Sequence, residues 1–140
     1  MKDTWEASAP VIEAKGLNLV FQTADGPVQA LKDVNLTVNR GDFVSFIGPS
    51  GCGNTTFLRA IAAVEHPTGG TLTVTGMSPD EARRKRAYGY VFQAAGLYPW
   101  RTIAGNIRLP LEIMGFSRAE QDQRIDRVLE LVELSGFGKK

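Results

Sequence analysis

The chain has 140 residues, 43% hydrophobic and 22% charged. That is the size and balance of one small globular domain, and it excludes collagen-like, coiled-coil and wholly disordered chains. Sixteen Lys and Arg against 15 Asp and Glu leave a net charge of +1, so no global field draws it to nucleic acid or to a membrane surface. One cysteine, Cys52, excludes a disulfide framework and a cysteine-based zinc site, and suits a reducing, intracellular setting.

Residues 1–10 carry no periodicity and read as a flexible tail, with Trp5 a stray exposed aromatic. No apolar segment follows a basic one there, so no secretory signal is expected. No run of 18 apolar residues occurs, so none is expected to span a bilayer. Val11 to Gln22 and Val28 to Val38 read as antiparallel strands around the turn signal Asp25-Gly26, with Val34, Leu36 and Val38 facing one way. After a turn at Asn39 to Asp42, the apolar run Phe43 to Ile47 predicts a strand buried on both faces. Thr55 to Val64 places Phe57, Leu58, Ile61 and Ala62 at helical spacing, and His66-Pro67 stops it. Thr71 to Thr75 alternates as an edge strand. Pro79 to Lys85 reads as a short helix whose basic run, Arg83 to Arg86, is a solvated face. Tyr88 to Phe92 reads as a strand and Ala94 to Arg101 as a loop. Thr102 caps a helix reaching Met114, which Pro110 must kink or split. Ser117 and Glu120 make a capping box. The helix behind it places Ile125, Val128, Leu129 and Val132 on one face, and Gly136 fits its C-cap.

Residues 48–56, GPSGCGNTT, lie between the apolar run and the first helix. Gly48 and Gly53 have the spacing of the phosphate-binding pattern G-x-x-x-x-G-K-[ST], and Thr55 and Thr56 follow. Glycines let backbone N–H groups approach phosphates with no side chain in the way. The helix N-terminus adds partial positive charge, and Thr55 presents a hydroxyl for Mg2+. Cys52 contributes only its backbone N–H. The pattern's lysine is replaced by Asn54, which donates a hydrogen bond but carries no charge. One unit-charge contact near 4 Å amounts to about 4 kcal/mol at an effective dielectric of 20, before desolvation. Its loss weakens nucleotide binding, and weakens hydrolysis more if the charge acts chiefly in the transition state. Taken alone, the loop could also be a Gly-rich turn with no ligand.

The surroundings narrow this. GPSGCGNTTFLRAIAAVEHPTGGTLTVTG resembles the start of an ABC-transporter ATP-binding subunit, where the phosphate loop leads to a helix, then P-(T/S)-G-G and a strand ending in Gly. VFQAAGLYPWRTIAGNI resembles the family's Q-loop, with Gln93 the matching glutamine, and LKDVNLTVNRGDFVSFIGPSGCG matches the strands leading into the loop. The variant Pro99-Trp100-Arg101-Thr102 looks most like importers of the nitrate, sulfonate and taurine group. The resemblance runs from about Ala14 to Lys140. It implies an α/β P-loop NTPase core with an N-terminal antiparallel strand pair, residues 11–140 forming the N-terminal part of the domain, with ATP and Mg2+ as cofactors.

Roles follow from the same resemblance. Gly48, Pro49, Ser50, Gly51, Cys52, Gly53, Asn54, Thr55 and Thr56 would hold the phosphates, and Thr55 would bind Mg2+. Phe21 matches the aromatic that stacks on adenine, although a core aromatic on the first strand fits equally. Gln93 would contact Mg2+ or the attacking water and act as the catalytic glutamine. Tyr98, Pro99, Trp100 and Arg101 match the segment that meets the permease, or else plug the local core. The implied partners are transmembrane permease subunits, a second ATP-binding subunit and, indirectly, a solute-binding protein, with no nucleic acid. The implied location is the cytoplasmic face of the inner membrane, as a peripheral subunit.

The signature sequence, the acidic Walker B strand and the switch histidine that follow in the family do not occur before Lys140. Leu134-Ser135-Gly136 resembles the signature superficially but reads as a C-cap, and His66 comes too early to be the switch histidine. Lacking a neighbour, Phe43 to Ile47 is expected to leave apolar surface open and make the chain aggregation-prone. Three readings remain: an importer ATP-binding subunit; a non-hydrolysing nucleotide-binding or regulatory module, which Asn54 favours; and a non-functional truncated product. A small kinase is disfavoured because such enzymes lack the Gln93 to Thr102 segment after a short antiparallel strand pair.

Overall fold

In the computed structural model, residues 9–94 and 96–140 are described. Trp5 and residues 1–8 of the expected tail lie outside them, as does Ala95 of the loop. The fold starts from strand β1 (Ile12–Thr23), which turns through Ala24 and Asp25 into β2 (Gly26–Val38). The antiparallel pair expected from the alternation is present, with Ile12 opposite Val38 and Phe21 opposite Val28. β3 (Gly69–Val74) lies antiparallel to the other edge of β1, giving the order β2-β1-β3. β1 is irregular between Ala14 and Leu17 against β2, where Gly16 donates its N–H to Asn35 Oδ1 at 2.8 Å. A bulge there changes the parity of the strand. Ala14 is buried before it, and Leu17 and Leu19 after it.

Helix α1 (Asn54–Ile61) covers this face. Phe57, Ala60 and Ile61 pack with Leu17, Leu19, Leu31, Leu72 and Val74. Burying one such large side chain is worth roughly 1.5–3 kcal/mol. α1 ends three residues before the expected Val64, because Ala63 adopts φ +53 and Val64 turns back to donate to the Arg59 carbonyl at 2.9 Å. Tyr88 closes the core edge by donating its hydroxyl to the Ala62 carbonyl at 2.8 Å. Burial raises that hydroxyl's pKa above its ordinary value, with Arg83 opposing. α2 (Pro79–Arg84) is capped by Ser78, whose hydroxyl accepts from the Glu81 N–H at 3.3 Å. Its basic residues are exposed as expected, Arg83 paired with Asp80 at 3.3 Å and Lys85 with Glu81 at 2.7 Å.

Two expected strands do not form. Phe43 to Ile47 and Tyr88 to Phe92 have no strand ladder among the described residues. Phe43, Ile47 and Val91 are each 95% exposed. A strand is made by its neighbours' N–H and C=O groups, and an apolar run supplies only half of that requirement.

The chain divides into two units, residues 1–90 and 91–140. The second holds α3 (Ile103–Ile113), α4 (Arg118–Leu131) and a final 3-10 turn at Phe137–Lys139. Thr102 caps α3 by accepting from the Gly105 N–H at 3.0 Å. Pro110 does not split the helix: Met114 N–H still donates to the Pro110 carbonyl at 3.0 Å. α4 starts at the expected capping box. Its buried face is Gln121, Ile125 and Leu129, spaced by one turn, whereas the expected Val128 and Val132 are exposed. Buried Gln121 donates its amide to the Phe116 carbonyl at 2.7 Å. Leu111 of α3 completes this small core with Ile103, Ile107 and Phe116, and Arg108 pairs with Asp122 across the two helices. Gly136 does not cap α4, which stops at a C-cap of Val132. Glu133 takes the left-handed conformation at φ +58 and Leu134 N–H returns to the Leu129 carbonyl at 2.7 Å, the bond pattern of a Schellman stop. Gly136, at φ +87, begins the 3-10 turn instead.

Candidate functional site

The glycine-rich loop of residues 48–53 feeds directly into α1, and its shape follows from two glycines. A Cβ on Gly53 would lie 2.6 Å from the Ala30 carbonyl oxygen on β2, and its φ of +95° disfavours any other residue. A Cβ on Gly48 would lie 2.7 Å from Cys52 Sγ. The loop therefore packs against the β2 backbone at Gly53, where no side chain fits, and closely against its own Cys52 side chain at Gly48. Its Cys52 N–H, expected to serve a ligand, donates instead to the Pro49 carbonyl at 3.2 Å and tightens the turn.

α1 differs from α2, α3 and α4 at its start. Those three have a Ser or Thr side chain accepting the third residue's N–H, whereas Gly53 has no side chain to offer and the first turn holds no acidic residue. The N–H groups at a helix start have no intrahelical partner, and the helix dipole leaves partial positive charge there. These groups face an open groove of about 490 Å³ between the loop and Phe21, Val28, Gln29 and Ala30. Phe21 is half-buried; it packs against the core and also lines the groove. Val28, Gln29 and Ala30 were not singled out by the sequence. Their place follows from the β1–β2 register, which sets Val28 opposite Phe21.

The donor set suits a polyphosphate: backbone N–H groups, space kept clear of side chains, and the Thr55 and Thr56 hydroxyls. Thr55 is exposed. Among the described residues no group of three or more His, Cys, Asp or Glu gathers as a metal cage. The cation against the phosphates is what the loop lacks. Asn54 is half-buried at the first position of α1, and the groove lining contains no Lys, Arg or His.

Gln93 lies in the second unit, exposed on the loop before α3. The rings of Tyr98 and Trp100 meet at a tilt of 46°, with centroids 5.1 Å apart. Trp100 is 75% exposed and Tyr98 42%, so they do not plug a local core. Asn106, which the sequence did not single out, ties this loop down. Its Oδ1 accepts from the Tyr98 N–H at 2.8 Å, and its Nδ2 donates to the carbonyls of Tyr98, Arg101 and Thr102. An Asn in the first turn of a helix is the one signal that pointed to it.

Comparison with known proteins bears on this arrangement. The family model described as ABC transporter matches residues 31–140. A maltose/maltodextrin import ATP-binding protein of Mannheimia succiniciproducens is 42% identical over 111 residues, 79% of this chain and 30% of that protein. A methionine import ATP-binding protein of Symbiobacterium thermophilum is 40% identical over 131 residues, 89% of this chain and 40% of its own length. A taurine import ATP-binding protein of Pelagibacter ubique is 36% identical over 126 residues, 89% of this chain and 47% of the relative. The chain thus spans less than half the length of these relatives. Among solved structures, a dimeric ATP-binding cassette in a post-hydrolysis state, bound to ADP and Pi, superposes with a TM-score of 0.80 at 31% identity, covering 91% of this chain and 60% of that one.

Proposed function

Since the chain belongs to the ABC transporter family, we propose that residues 11–140 are the N-terminal part of the ATP-binding subunit of an importer. The observation that carries the reading is the start of α1, with no side-chain cap, on an open groove lined by the glycine-rich loop. In this reading the loop Gly48 to Thr56 holds the phosphates, through those backbone N–H groups that the turn does not claim and the Thr55 and Thr56 hydroxyls, and Phe21 offers an apolar face to the adenine. The Thr55 hydroxyl is the proposed Mg2+ ligand of the loop, and Gln93 is carried over, on the resemblance alone, as the glutamine that contacts Mg2+ or the attacking water. Bound Mg2+ supplies positive charge that Asn54 does not. The exposed Tyr98, Pro99, Trp100 and Arg101, held by Asn106, form the contact with transmembrane permease subunits, since exposed aromatics beside Arg suit an interface. A second ATP-binding subunit completes the site, and the pair sits peripherally on the cytoplasmic face of the inner membrane. A solute-binding protein delivers solute to the permease. The run Pro99 to Thr102 favours the nitrate, sulfonate and taurine type, and the taurine relative is in keeping with it.

Asn54 favours a second reading within the first, a module that binds nucleotide without turning it over. Equilibrium dialysis with labelled ATP and Mg2+ tests the nucleotide site: binding is expected, weakened about tenfold by Thr55→Ala, which corresponds to roughly 1.4 kcal/mol. Phosphate release is expected to be no faster than in Thr55→Ala. Turnover above that control overturns the non-hydrolysing reading, and absence of Mg-ATP binding overturns the nucleotide site itself.

A further inference from the structure

We infer that Asn54 makes the phosphate loop an electroneutral cradle, which takes a nucleoside polyphosphate only as its divalent-metal chelate; the inference rests on the nucleotide site proposed above. The argument is a charge inventory. The groove between Phe21 and the loop is lined by apolar residues, Gln29, and the loop's own glycines and hydroxyls, with no cationic side chain. α1 carries one basic residue, Arg59, in its last turn, and that guanidinium is already paired with Glu65 at 2.9 Å. The positive end of the helix therefore consists of peptide dipoles alone, equivalent to roughly half an elementary charge.

A metal-free nucleoside triphosphate brings several negative charges into this groove. Half a charge does not offset the cost of taking them out of water. A chelated divalent cation cancels much of that charge before the ligand meets the loop. A lysine at position 54 would instead bring the missing charge with the protein, whether or not metal is present. The Asn54 amide cannot do so: it is neutral, and its Nδ2 lies 3.6 Å from where a Cβ on Gly48 would sit, back over the loop. Metal dependence of binding, read without any turnover, therefore separates an electroneutral cradle from a charged one.

The test uses the full 140-residue chain and its variants Asn54→Lys and Asn54→Gln, with far-UV circular dichroism confirming equal folding. Labelled ATP is dialysed against each in Mg2+ and in EDTA. Removing the metal is expected to weaken binding by the native chain about a hundredfold, and by Asn54→Lys about tenfold or less. Asn54→Gln lengthens the side chain without charging it and is expected to follow the native chain. Equal losses in the native chain and Asn54→Lys overturn the inference and leave the nucleotide site standing. So does a Gln variant that behaves like Lys, since length rather than charge would then govern. If no variant binds Mg-ATP, the nucleotide site fails and the inference falls with it.

Discussion

Gly53 concentrates the geometry of the loop in one residue. Its φ of +95° and the Ala30 carbonyl 2.6 Å from any added Cβ impose two independent penalties. Gly51 shares the left-handed backbone, at φ +82, but has open space around it. Gly51→Ala is therefore expected to cost about 1–2 kcal/mol from backbone conformation alone. Gly53→Ala should cost more, about 3 kcal/mol or above, because backbone must also move. Chemical denaturation of the two variants side by side measures the difference, and equal losses would show that the Ala30 contact is not tight. The spacing of these glycines was legible in the sequence. What Gly53 touches was not, because Ala30 belongs to a strand 23 positions away and only the packing of the loop and α1 against β2 brings it there. Cys52 shows the same limit: its N–H reads as free in sequence, while the turn itself claims it.

At the scale of the element, local chemistry was readable and distant partners were not. The capping box is local, spanning four residues, and it forms as read. The Ser117 N–H donates to Glu120 Oε2 at 2.9 Å, and the Ser117 hydroxyl donates to the same oxygen at 2.6 Å. These bonds hold the Glu120 carboxyl below its ordinary pKa. Because the folded value is the lower one, the stability it contributes is present above the ordinary carboxylate value and is lost as pH falls through the lowered one. Glu120→Gln should therefore reduce α4 helicity at neutral pH, and the gap from the native chain should close as acid protonates the carboxyl. Circular dichroism across that range checks it; a gap that persists below both values would mean that the carboxylate's charge is not the cause. Where an element depends on something further away, the reading failed. Phe43 to Ile47 has the composition of a buried strand, but strand formation needs a ladder partner that no local window contains. Gly136 has the composition of a helix stop, but Glu133 and Leu134 close α4 first by returning a bond to Leu129.

For the whole molecule, the exposed apolar side chains decide how the chain behaves in solution. Phe43, Ile47 and Val91 are each 95% exposed, and the segments that carry them belong to no strand among the described residues. Apolar side chains exposed this fully invite association with other chains. The chain is thus expected to self-associate as concentration rises, seen by light scattering as growth in mass. The double variant Ile47→Thr with Val91→Thr should raise the monomer fraction. It should leave the unfolding free energy within about 0.5 kcal/mol, because neither side chain is packed against a core and fully exposed substitutions rarely cost more. Phe46 gives the contrast within the same segment. Its ring meets Phe57 of α1 edge-on, with centroids 5.5 Å apart, so Phe46→Thr should destabilise the first unit as well as reduce association. A sharp, cooperative unfolding transition from a monomer that persists at high concentration would overturn this picture. It would mean that Ile47 and Val91 find cover in solution, and a loss of stability in the double variant would then locate that cover at these two side chains.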